Sequence, residues 1–303
     1  MADTILAGTI GLDDIETPFG KVSEVLGGSG IYSAFAASFF TKPGIVSIAG
    51  EDLPEEHINT IREKGISIEG VERKGKNFRW EGLYEFDMNE AKTLRTELNS
   101  LAEFNPKVPE EYRKAGYVFL ANLDPDVQLK VIEQMESPEF IVMDTMNFWI
   151  DHKKDQLLEV MKKVDVIVLN DGEARQLFET VNLITAANRA LELARKAVII
   201  KKGEHGALLF VKEGGKVRHF NAPGYPLETV RDPTGCGDSF GGGFIGWIAK
   251  TKDTSDAGMR KAVIYGSVLA SFNAEDFSLE RQKSLTNEEI EKRYNEMREL
   301  REF

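Results

Sequence analysis

The run Asp232-Pro233-Thr234-Gly235-Cys236-Gly237-Asp238, continued by Ser239-Phe240-Gly241-Gly242-Gly243-Phe244, holds the residues best placed for chemistry in this 303-residue chain. Two glycines and a carboxylate occupy a turn that leads straight into an apolar, helix-like stretch. Such a turn aims backbone N–H groups at one spot, where the helix dipole adds positive potential and favours an anion. Asp238 stands beside that spot, where a base is useful. The combination points to phosphoryl transfer, with a stabilised phosphate next to a proton acceptor. Each glycine of Gly241-Gly242-Gly243 costs about 1 kcal/mol against alanine in a helix interior, so something must approach that backbone closely. The turn is not a Walker A loop, because no Gly-Lys-Ser/Thr follows, and it lacks the third glycine of a dinucleotide fingerprint.

The elements that must position this turn are legible as alternating runs. Ile5–Ile10, Gly44–Ala49, Tyr117–Ala121, Phe140–Asp144, Val164–Asn170 and Val198–Lys202 read as buried strands. Helical stretches lie between them at Gln128–Met135, Gly172–Glu179 and Ala186–Arg195. Strands alternating with helices predict an α/β fold, a three-layer sandwich around a mostly parallel central sheet. Ligands on such sheets bind beyond the carboxyl ends of the strands, where Asp144, Asn170 and Gly203 fall.

One segment has a different period. Phe78, Trp80, Tyr84 and Phe86 alternate with mostly charged residues, the pattern of a half-exposed antiparallel strand. With the stretch around Leu12–Val25 it predicts a small antiparallel β lid, built from about residues 12–25 and 76–98, that covers a site or serves as a homodimer surface. Trp80 and Tyr84 could stack on a base or sugar, although packing under the lid suits them better. The C-terminal run 287–303 reads as a charged helix that packs through Ile290, Tyr294, Met297 and Leu300. No repeat or long linker divides the chain, so residues 1–303 are expected to form one domain.

Composition narrows the partners. A formal net charge of −12 argues against nucleic acid, and no segment approaches the roughly 20 apolar residues that span a bilayer. The N-terminus shows no signal peptide, so a cytoplasmic location is expected. Cys236 is the single cysteine, which excludes an internal disulfide or a thiol zinc site. As a nucleophile it has no histidine placed to pair with it. His57, His152, His205 and His219 are scattered without metal spacing.

The motif at 232–240 resembles the C-terminal signature of ribokinase-like carbohydrate kinases of the phosphofructokinase-B type, with Cys236 where alanine is common. The resemblance implies that the Gly235, Cys236 and Gly237 amides form an anion hole, that Asp238 is the general base, and that Asp232 neighbours a monovalent-cation site such as K⁺. Smaller matches extend it along the chain. Gly27-Gly28 resembles the sugar-side diglycine, Asp13 the aspartate that binds substrate hydroxyls (with Asp14 adjacent), and Gly50-Glu51-Asp52 the family's Gly-x-Asp. Asn170 and Glu173 match an Asn-x-x-Glu motif holding Mg²⁺ and phosphates, usually through water. Lys202, Gly203 and Gly206 resemble a Gly-x-x-Gly turn beside the nucleotide, where His205 also sits. Each smaller match has a plain alternative, such as a turn, a helix cap or a solvated acid.

Two departures concern the acceptor: Tyr32 stands where an asparagine often contacts sugar hydroxyls, and Gly8-Thr9-Ile10-Gly11 replaces a Gly-x-x-Asn. The expected activity is ATP- and Mg²⁺-dependent phosphorylation of a sugar hydroxyl, with a nucleoside as the alternative acceptor. A phosphorylated acceptor would call for the basic cluster Arg73, Lys74, Lys76, Arg79, Lys92 and Arg95. A non-catalytic sugar or nucleotide sensor would not need Asp238 and Glu173 together. A nicotinamide oxidoreductase would need a fingerprint after the first strand, where Thr9-Ile10-Gly11-Leu12 stands instead.

Overall fold

The computed structural model describes residues 2–301 and builds them into two sheets. The strands are β1 (Thr4–Ala7), β2 (Gly11–Thr17), β3 (Gly20–Gly27), β4 (Pro43–Ala49), β5 (Ser67–Arg73), β6 (Phe78–Tyr84), β7 (Ala91–Glu97), β8 (Tyr117–Leu120), β9 (Phe140–Met143), β10 (Val166–Asn170), β11 (Ala197–Lys201), β12 (Ala207–Glu213) and β13 (Lys216–Ala222). The large sheet runs β13-β12-β11-β10-β9-β8-β1-β4-β5. From β5 to β11 all pairings are parallel, and β12 and β13 join antiparallel at one edge.

Burial on both faces explains the continuous apolar runs of the central strands. Alternate residues point to opposite sides: Leu6, Phe119, Val166 and Val168 enter one core with Phe240, Phe244 and Val263, while Ile5, Val118, Ile167 and Leu169 enter another with Val131, Leu157, Leu177 and Ala190. The chain is thus a three-layer sandwich. All six apolar runs are strands of this sheet. Three strands are not among the six runs: β5 and β13, which lie at the two edges and bury few residues, and β12, whose apolar start Ala207–Val211 is buried next to β11. Among the described residues no helix is long and apolar enough to cross a membrane.

The second sheet, β3-β2-β6-β7, contains two antiparallel hairpins joined by a parallel β2–β6 pairing. It occupies the expected segments. Phe86, however, does not share a face with Trp80 and Tyr84. The strand ends at Tyr84, Phe86 lies beyond it and is 95% exposed, and the register shift between Glu81 and Gly82 adds a residue to β7, leaving the alternation of β6 intact. Asn77, fully buried, ties the two sheets together: its Oδ1 accepts from the Gly50 N–H and its Nδ2 donates to the Ile10 carbonyl. The C-terminal helix covers Asn287–Glu299 and buries Ile290 and Met297, whereas Leu300 is exposed. Residues 302 and 303 of that expected helix lie outside the described residues.

The three glycines of the helix Cys236–Thr251 are explained by neighbouring protein. A Cβ on Gly242 would land on the Ser33 carbonyl of the helix Ser29–Ala37, one on Gly241 would enter the Phe119 ring, and Gly243 faces Gly266 and Leu269 of the helix Asp256–Asn273. Helix propensity alone predicts that Gly242→Ala stabilises by about 1 kcal/mol. The backbone clash is the larger effect, so the substitution is expected to cost about 2 kcal/mol net, read from denaturant unfolding. A stabilised variant would refute this packing role.

Candidate active site

The Pro233–Cys236 turn closes on itself and then starts the glycine-rich helix. Gly235 holds φ +75 at the helix start, where a side chain would also collide with the Tyr32 ring. The Cys236 N–H is spent on the Pro233 carbonyl (3.1 Å), whereas those of Gly235 and Gly237 find no acceptor among the described residues. Two of the three expected amides therefore remain available to an anion at a helix N-terminus. The Cys236 thiol lies beside the Ala270 carbonyl and the Asn273 amide, and burial pushes it up to about 12. It is a small packing group, far from thiolate chemistry at neutral pH.

Carboxylates crowd this turn. Asp238, half-buried, is pushed up from 3.8 to about 7, first by burial and then by Asp144, with Lys201 opposing. Asp13 on β2, 3% exposed, is pushed up to about 8 by burial and by the charges of Asp232 and Asp238. Gly27 on β3 makes room for it, since a Cβ there would overlap the Asp13 carboxylate. Strand alternation separates Asp13 from its neighbour: Asp14 points away, accepting from the Glu24 N–H and facing Arg95. Gly28 begins the helix Ser29–Ala37 at φ +99.

At the carboxyl end of β10, Asn170 and Glu173 form a reciprocal capping box. The Asn170 Oδ1 accepts from the Glu173 N–H (2.7 Å), and the Glu173 carboxylate accepts from the Asn170 N–H and Nδ2 (2.7 Å each). A cap alone would leave its acid in solvent. Glu173 instead is buried, and burial raises its affinity for a proton against the pull of Lys201. Lys201, the last residue of β11, was not among the expected site residues. Its ammonium pairs with Asp144 at the end of β9 and lies 3.1 Å from where a Gly237 Cβ would stand. The signal was present, since a lysine ends the otherwise apolar strand Ala197–Lys201. Lys202 points aside, toward Asn221 (3.4 Å). Gly203 and Gly206 bound a tight turn with positive φ, and His205 is exposed.

The remaining sites divide cleanly. Asp232 is fully buried, and its two oxygens accept from the Thr234 and Ser278 N–H groups (2.9 Å each), pinning the turn to the loop after the helix Asp256–Asn273. Asp52 accepts from the Asn77 N–H (2.6 Å) and so supports the junction of the sheets. Tyr84 reaches from the small sheet to the motif, accepting from the Thr234 hydroxyl (3.3 Å), and Trp80 lies over Gly82. The basic cluster is largely neutralised: Arg79 pairs with Glu24 and Asp52, Lys74 with Glu103, Lys92 with Glu85, and Arg95 with Asp14, Glu81 and Glu97.

A family model described as pfkB family carbohydrate kinase matches residues 12–283, and the chain belongs to that family. It is accordingly a kinase, and membership implies ATP and, typically, Mg²⁺. A protein named cytidine kinase from Thermococcus kodakarensis is 27% identical over 250 residues, spanning 81% of this chain and 88% of that one. The fold matches the nucleoside kinase of Methanocaldococcus jannaschii, described as an archaeal member of the ribokinase family, with a TM-score of 0.78, 21% identity, and coverage of 97% of this chain and 98% of that one. It also matches the Burkholderia thailandensis nucleoside kinase in complex with inosine, with a TM-score of 0.79, 19% identity and 97% of each chain covered.

At pH 8, Cys236 in the folded chain is expected to react with a disulfide reagent more than about 10²-fold slower than in denaturant. Equal labelling rates would mean that the thiol is not held in this packed, protonated state.

Proposed function

We propose that this kinase transfers the γ-phosphoryl group of ATP to a hydroxyl of a nucleoside, with Asp238 as general base. The observation that carries the base assignment is the placement of a half-buried carboxyl, pushed up to about 7, in the first turn of a helix at whose start the Gly235 and Gly237 N–H groups have no acceptor among the described residues. A group in that range can accept a proton at neutral pH more readily than an ordinary aspartate. The Gly235 and Gly237 amides face the charge that develops on the transferred group, with Cys236 keeping the turn closed between them. Asp13, beside Gly27 and Gly28, orients the acceptor hydroxyls. Asn170, Lys202, Gly203 and Gly206 border the nucleotide. Residues 1–303 act as one kinase domain, and the small sheet is its lid, keeping water from the site.

The residues present fit Mg²⁺ held mainly by phosphates and water. Among the described residues no group of three or more His, Cys, Asp or Glu gathers to hold a metal, and Mg²⁺ characteristically uses one or two carboxylates while keeping waters. Glu173 is the carboxylate placed for that role, and the ion, when bound, neutralises charge across the phosphates. At Asp232, K⁺ would have to share a fully buried carboxylate whose two oxygens each already accept one N–H group.

The nucleoside reading takes its support from the names of the relatives, a cytidine kinase and two nucleoside kinases. Ion pairing of the basic cluster supports an acceptor without a phosphate. The family description, carbohydrate kinase, supports a simple sugar as the second reading.

A panel of nucleosides and of ribose- and fructose-type sugars, read by ADP release, tests the acceptor. At least one nucleoside is expected to exceed every sugar by about tenfold or more in kcat/KM, a difference of roughly 1.4 kcal/mol. Turnover with sugars alone would establish the second reading, and ATP binding without turnover on any acceptor would establish a sensor. Asp238→Asn is expected to keep ATP binding and lose about 10²-fold or more in kcat. Near-normal turnover in that variant would remove Asp238 from the base role.

A further inference from the structure

Lys201 and Asp144 form a buried ion pair that no step proposed above uses. The side chain of Asp144 is 4% exposed and that of Lys201 is 17% exposed. They close the ends of two strands, β9 and β11, with β10 and the Asn170–Glu173 cap between them. The pair is held on both sides: the Asp144 Oδ1 accepts from the Thr145 N–H (2.9 Å), its Oδ2 accepts from Lys201, and the ammonium sits under Gly237. A surface pair so placed would contribute little. A buried pair is costly to form and is weak support for stability, since apolar replacements are often as stable. Its position points to another use.

We propose that Lys201 and Asp144 are positioning residues for phosphoryl transfer, a rigid pair of opposite charges that sets how readily Asp238 takes a proton from the acceptor. The proposal rests on Asp238 being the base. The charges that act on Asp238 are Asp144 from the end of β9 and Lys201 from β11, and Asp238 in turn acts on Glu173 of the helix after β10 and on Asp13 of the small sheet. Lys201 is the one cation among them. It lowers the proton affinity of Asp238 while Asp144 raises it, and each restrains the other, so the base is held near neutrality rather than at either extreme.

The two charges predict opposite results. In Lys201→Met the acid limb of the kcat/KM profile for the acceptor, measured with saturating ATP and Mg²⁺, is expected to move up by about one pH unit. In Asp144→Asn it is expected to move down, because Lys201 then acts on Asp238 without its counter-charge. Lys201→Arg keeps the charge and should keep the limb near wild type. A ligand-free readout follows from linkage. A carboxyl raised from 3.8 to about 7 makes the folded chain bind more protons than the unfolded chain between those values. Stability relative to the Asp238→Asn counterpart therefore falls as pH rises through that window and then levels off. The levelling point should rise in Lys201→Met and fall in Asp144→Asn, followed as unfolding midpoints.

Unmoved limbs and levelling points in both variants, with Asp238→Asn inactive, would overturn the tuning pair and leave the base assignment standing. An active Asp238→Asn enzyme would overturn both. Should Lys201→Met fail to fold, Asp144→Asn and Lys201→Arg decide: a lowered limb in the first and an unmoved one in the second support the pair, and an unmoved limb in the first overturns it.

Discussion

The site depends on one constraint, the gathering of negative charge at the carboxyl ends of a buried sheet. Asp13, Asp144, Glu173, Asp232 and Asp238 are all wholly or partly withdrawn from water, and Lys201 pairs with one of them, Asp144. Burying carboxylates is unfavourable unless they are paired or accept hydrogen bonds. The structure meets that demand unevenly. Asp232 takes two N–H groups, Asp144 takes Lys201, and Glu173 takes the two groups of Asn170. Asp13 and Asp238 are pushed up to about neutrality or above, and Glu173 is pushed up as well despite its two partners, because burial outweighs what Asn170 returns. Asp13 and Asp238 flank the turn, so two carboxyls of raised proton affinity stand beside the anion-binding amides.

The fold enforces this through backbone contact rather than through charge. Parallel pairing aligns the strand ends of β9, β10 and β11 on one edge, so Asp144, the Asn170–Glu173 cap and Lys201 share a rim. The glycine-rich helix can lie low over that rim because Gly241 and Gly242 admit Phe119 and the Ser33 carbonyl. A side chain at either position would lift the helix and carry Gly237 and Asp238 away from Lys201. Gly241 and Gly242 therefore set the distance between the turn and the sheet, while Gly243 sets the approach of the helix Asp256–Asn273.

Much of this was legible in the chain, and the gaps have physical causes. The central strands announce themselves because both faces are buried, and the 232–240 motif because glycines and an acid in that order have few other uses. Asp13 and Asp14 could not be separated by spacing alone. Strand alternation separates them, but only after the register of β2 with β3 and β6 is known. β5 and β13 escaped notice because edge strands carry few apolar residues. Phe86 was misplaced because a period-two count does not mark where a strand stops, and β6 stops at Tyr84. Lys201 was passed over in favour of Lys202 because two adjacent lysines are equivalent in a sequence, while a strand end sends one to each side.

The acceptor side is built differently from the phosphate side, and the difference limits what it can bind. Tyr32, where a sugar-contacting asparagine is common in the family, spends its ring on covering Gly235, and its buried hydroxyl meets no hydrogen-bond partner among the described residues. The arginines and lysines of the small sheet are paired with its own acids. Asp232 and, once ionised, Asp238 add negative potential from within. A phosphorylated acceptor would enter that field against repulsion, with the cations of the small sheet already paired. A neutral polyol or nucleoside enters without that cost, and Asp13, protonated over much of the neutral range, can donate as well as accept toward its hydroxyls. On the function proposed above, charge divides the cleft, with the helix N-terminus beside Lys201 suited to an anion and the side of Asp13 suited to uncharged hydroxyls.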